Sequence, residues 1–179
     1  MMRDTRGMAV WVMTLFMALS LFAIFQGGVD LYSLLTLRTQ LTTALTTSLQ
    51  EATVEGARVN NGVMTWNASA ARTGAAAAIA ANLPVTATTT NQGAVFTPYG
   101  AVPSIWQGPL QLEDFQVSTT PGVATLPTGS TTVPGPYIAA ALTLPVTFHF
   151  FGLPIPETLT VTDTSAVYAY DGQVWTTPR

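Results

Sequence analysis

The run MAVWVMTLFMALSLFAIF occupies residues 8–25 and holds no charge and nothing more polar than Thr14 and Ser20. Wound as an α-helix it rises about 27 Å, close to the roughly 30 Å hydrocarbon thickness of a bilayer. It reads as a transmembrane helix, and the rest of the chain is organised from it. Before it stands a short leader, residues 1–7, carrying Arg3, Asp4 and Arg6. Arginines beside an anchor hold that side in the cytoplasm, which places residues 26–179 outside the membrane. A cleavable secretory signal opens in the same way, but its apolar core spans about 7 to 15 residues and ends in a small-x-small site. Here Phe25 is followed by Gln26-Gly27-Gly28-Val29-Asp30, which lacks that site. A retained single-pass anchor is the favoured reading.

Beyond Gly27-Gly28, where the helix could kink or loosen, Leu31, Leu34, Leu35, Leu41, Ala44, Leu45, Leu49 and Ala52 recur at three- and four-residue steps. Threonines fill the other faces, so residues 29–59 read as an amphipathic helix leaving the membrane. Threonine loses rotamer freedom in a helix, and a stripe this rich in it needs packing partners to stay wound. Asn60-Asn61-Gly62 is the expected stop, with Glu55 and Arg58 as a supporting pair three residues apart.

A second, Ala-rich helix is predicted over residues 68–81, capped by Asn67 and ended at Asn82 before Pro84. It contains Arg72 and is too short to span a bilayer, so residues 26–82 are expected to form a helical hairpin. The second helix covers about 21 Å of a stripe about 46 Å long. Leu31, Leu34, Leu41, Leu45 and Leu49 are therefore the candidate subunit-packing stripe.

Residues 83–179 read as β-rich. Residues 97–136 hold seven of the twelve prolines, which predicts loops and edge strands, with strand candidates at 110–118 and, just before this stretch, at 85–89. Over residues 140–150 the even positions Ala140, Leu142, Leu144, Val146, Phe148 and Phe150 form one apolar face. Pro145 lacks a ladder donor, which predicts an edge strand or an unpaired position. Residues 158–170 place Leu159, Val161 and Val167 on one face, and the two runs are expected to pair as an antiparallel hairpin around a loop at 151–157. In that loop Phe151, Leu153 and Ile155 are expected to fold back on the core, with a subunit-facing patch as the second reading. The fold class is α+β: a long N-terminal transmembrane and amphipathic helix, a short second helix and a small antiparallel β domain.

Composition removes several functions. All six basic residues are arginine and the net charge is -3, so no basic surface exists to hold nucleic acid. No cysteine is present, and His149 is the lone histidine, with no acid beside it in the sequence. Neither a metal set nor a catalytic triad is expected, nor any cofactor or small-molecule substrate. The carboxylates are scattered, and Glu113 and Asp114, adjacent on a strand, point to opposite faces. Asn67-Ala68-Ser69 matches a glycosylation acceptor, but the helix cap already explains Asn67. The chain does not read as an enzyme.

Arg6-Gly7 before the apolar run, Val29-Asp30-Leu31 after it, the Leu41-Thr-Thr-Ala44 rhythm, Gln50-Glu51-Ala52 and Glu55-Gly56-Ala57-Arg58 together resemble the TadE/TadG-like proteins of Tad (Flp) pilus assembly. The resemblance covers roughly the first third of the chain. It implies a pseudopilin-like envelope protein that packs its N-terminal helix against pilus or secretion-apparatus subunits, or against further copies of itself. Gly7-Met8 becomes the candidate processing site. Many pilin-like relatives carry glutamate five residues after that glycine, where this chain has Val12, which favours a retained leader and a role beside the filament. The runner-up is a membrane-anchored extracytoplasmic binding domain unrelated to pili, using its Pro-rich loops for recognition.

Overall fold

The computed structural model describes residues 5–60, 63–90, 93–150, 153–167, 169–171 and 174–176. Met1 to Asp4 of the leader, Asn61-Gly62 of the expected helix stop, and Phe151 lie outside these. One helix, α1 (Thr5–Gly56), runs unbroken through Gly27 and Gly28. It is followed by a hairpin of β1 (Ala57–Asn60) and β2 (Val63–Trp66), then by α2 (Ala68–Asn82). Next come β3 (Val85–Thr89), β4 (Ala94–Pro98), β5 (Leu110–Ser118), β6 (Gly122–Leu126) and β7 (Gly129–Val133). Two long strands, β8 (Tyr137–Phe150) and β9 (Leu153–Ala166), precede the small pair β10 (Ala169–Asp171) and β11 (Val174–Thr176). The architecture is α+β.

The first helix stops three residues before the expected Val59. A Cβ on Gly56 would lie 2.4 Å from the Ala71 Cβ, so the end of α1 is held against α2 at a distance only glycine permits. The Gly56 carbonyl then accepts from the Asn67 amide at 2.9 Å, which closes the β1–β2 hairpin between the helices. Arg58 consequently sits in β1, and its guanidinium donates to the Ala57 carbonyl instead of serving as a helix partner for Glu55. Asn67 caps α2 by accepting from the Ala70 amide at 3.0 Å. The buried residues Ala71, Ala75, Ala76 and Ile79 form one face, and the three alanines let the helix backbones approach. The N-terminal end of α2 meets Gly56 while Asn82 and Leu83 reach Thr39 to Ala44, so the two helices run antiparallel.

Five strands form an antiparallel sheet in the order β3-β4-β5-β8-β9. On one face of it, α1 lies over β8 and β9 and α2 over β3. Leu37, Leu41, Leu45 and Leu49, four residues apart on α1, are fully buried in one core with Phe96, Leu110, Leu112, Leu142 and Leu144. Thr46 donates to the Asp163 carboxylate, a polar link from α1 to β9 at the rim of this core. The hairpin of β6 and β7 covers the opposite face, where Ala124, Leu126 and Val133 enclose Tyr137 and Ala139. Residues 97–136 thus hold more paired strand than their prolines and glycines suggested. After Glu113 the register of β5 against β8 shifts in a bulge, with Asp114 at φ 50°.

Pro145 lies in an inner strand. The Pro145 carbonyl accepts from Gln107 (2.9 Å) and the Thr147 amide donates to Ile105 (2.8 Å), so odd positions here turn their backbone groups away from β9. The proline's missing donor therefore costs the β8–β9 ladder nothing. The same alternation explains why residues 153–157 are strand, not loop. Phe148↔Ile155 and Val146↔Glu157 are the pairs whose backbone groups face each other. Pro154 and Pro156 then aim their nitrogens at the open edge of the sheet, where no donor is needed.

Candidate membrane-facing and subunit-facing surface

From Trp11 to Phe25, α1 is apolar on every side and almost uncovered. Trp11, Met13, Phe16, Met17, Phe22, Ile24 and Phe25 are all exposed, Trp11 to 79%. This is one helix long and apolar enough to cross a membrane. A surface of this kind in water would drive association, and a bilayer or partner helices are the environments that satisfy it. Gly7 and Met8 lie in the opening turns of the same helix.

Within the candidate packing stripe the structure draws a line near Leu34. Leu31 is exposed and Leu34 half-buried, whereas Leu41, Leu45 and Leu49 have no accessible surface. Those three are the chain's own core, and they offer nothing to another subunit. The sequence estimate compared α1 only with the short α2. The β8–β9 face covers the rest of the stripe, which no count of helix lengths reveals.

At the boundary between the two halves of α1 lies Asp30, buried although acidic. Its carboxylate accepts a hydrogen bond from the His149 backbone amide at 2.7 Å, and its Oδ2 stands 3.5 Å from His149 Nδ1. The amide is available because β5 pairs with β8 only as far as Thr143 and the segment 105–107 takes over only as far as Thr147, so His149 lies beyond both. Asp30 thus supplies the acceptor that a sixth strand would have supplied. The pair lines a cleft of about 580 Å3 with Leu31, Leu34, Phe148, Ile155 and Leu159. Thr158 is the one hydroxyl on the cleft wall. The arrangement tethers the end of β8 to α1.

The end of the β8–β9 hairpin is apolar and points toward the anchor. Going along β8 toward Phe150, its contacts on α1 descend from the level of Thr46, opposite Asp163, to Asp30, opposite His149. Leu153 is 69% and Ile155 43% exposed at this end, so neither folds back onto the core. Sequence reading missed the Asp30 to His149 contact, although it noted Asp30 as an acid shortly beyond the apolar run. Among the described residues no three of His, Cys, Asp and Glu converge to hold a metal ion. No protein-family model, no curated protein and no solved structure matches this chain.

Proposed function

We propose that this chain is a minor pilin-like, membrane-anchored structural component of a Tad-type pilus or a related secretion apparatus. It works by packing its N-terminal helix against partner subunits, without turnover. Residues 1–7 face the cytoplasm and the domain beyond Gln26 lies outside, as the arginines of the leader favour. The observation that carries the reading is the division of α1: its second half is committed to the core of its own domain, and its first half is free to meet lipid and other helices. The resemblance adds support at particular places. Asp30, just after the apolar run, has a defined tether, and Gly56-Ala57 is where α1 ends.

The alternative, an anchored extracytoplasmic binding domain unrelated to pili, draws on the groove along the seam of α1 and α2, walled by Glu51, Glu55 and Asn67. One experiment separates the two. Because the chain has no native cysteine, single cysteines at Leu15, Leu19 and Phe22 can be cross-linked in membranes that contain assembled pilus components. Adducts with pilus subunits are expected. Failure to cross-link at all three positions, together with no co-purification, would transfer first place to the binding domain.

A further inference from the structure

We infer that the end of the β8–β9 hairpin is a second membrane contact, with Leu153 seated among the lipid headgroups and upper acyl chains of the outer leaflet beside α1. The inference rests on the membrane-anchored reading and deepens it. His149 is fixed at the level of Asp30 by a 2.7 Å hydrogen bond. Leu153 pairs with Phe150, one residue further along β8, and so lies about 3 Å nearer the anchor. On α1 that corresponds to about two residues below Asp30, at Gly28, close to the end of the apolar run at Phe25. The cleft beside Asp30 is walled on α1 down to Gly27, just beyond the end of the apolar run at Phe25. The domain therefore begins at the depth where the hydrocarbon ends.

The chemistry of the hairpin fits that depth. Leu153 and Ile155 present apolar side chains, and the prolines between and beside them remove backbone donors from the open edge, so little polar backbone is desolvated. Residues 137–167 contain no lysine or arginine, while Glu157 is exposed nearby. Attraction to anionic headgroups is thus not part of the contact. The lipid that fits is zwitterionic, held by burial of apolar surface.

The test uses the full chain, single cysteines and an environment-sensitive fluorophore. Leu153→Cys, Phe16→Cys and Val123→Cys are labelled and reconstituted in phosphatidylcholine vesicles without bromine, with bromines near the glycerol end of the chains, and with bromines near the terminal methyls, which lie at the depth of position 16. Val123 is exposed at the far end of β8, beside Tyr137, and should see only water. Quenching at positions 16 and 153 and none at 123 is the expected result. Quenching at 16 without quenching at 153 overturns the inference and leaves the anchor standing. Absence of quenching at 16 removes the anchor, and the inference with it.

Discussion

Replacing Asp30 tests how the outer domain is fixed to the anchor. In Asp30→Ala the His149 amide, bonded at 2.7 Å, loses its acceptor in a site where Asp30 is only 6% exposed. Leaving a buried donor without a partner costs about 1 to 3 kcal/mol, to which the lost packing of the side chain adds little. For a chain of this size that is a fall in Tm of about 2 to 12 °C, taking roughly 2 to 4 °C per kcal/mol. Asp30→Asn keeps an oxygen that can accept from the same amide and should lose less than half as much. His149→Ala should also be mild, because the short contact is made by the backbone and the imidazole stands 3.5 Å away, partly exposed. Thermal unfolding of the full chain in detergent micelles, followed by circular dichroism, reads all three. If His149→Ala were as damaging as Asp30→Ala, the imidazole would be the true partner and the backbone tether would be the wrong account.

Other substitutions separate core from surface. Gly56→Ala must push a methyl group into Ala71, and the overpacking should cost about 1 to 3 kcal/mol by denaturant titration. Leu41→Asp buries a charge at a position with no exposure and should prevent accumulation of folded protein, whereas Leu31→Asp, at an exposed position, should leave the fold intact by protease resistance. Phe148 is only partly buried, so Phe148→Ala should cost less than the roughly 3 to 5 kcal/mol of a fully buried phenylalanine. Cysteine at Thr97 should react with an impermeant reagent added to intact cells and cysteine at Thr5 should not; the reverse pattern would invert the topology.

Much of the fold was written locally. Asn67 and the alanines after it marked α2, and the alternation from Ala140 onward gave β8 its inner face, because capping and strand periodicity act within a few residues. What failed to show was decided over long distances. The end of α1 at Gly56 depends on Ala71, a contact made only once α2 has folded back. The prolines at 154 and 156 looked like loop residues because their tolerance depends on which side of β9 is left open. The surface was harder still. Asp30 and His149 are 119 residues apart, and nothing near either one announces the other. The leucine stripe was visible, but its ownership was not, since the two strands that α1 lies over, β8 and β9, come from the last third of the chain.

The continuity of α1 has a mechanical side. Its 52 residues make a rod about 78 Å long, with no break between the exposed apolar end and the end that carries the core leucines. A pull along the anchor would travel up one hydrogen-bonded column and arrive as shear between α1 and the β8–β9 face, spread over several buried leucines and the Asp30 tether at once. With no hinge to absorb it, tilting the rod would tilt the whole domain by the same angle. An assembly gripping the N-terminal end could in this way set the pose of a surface several nanometres away, as a lever sets its load.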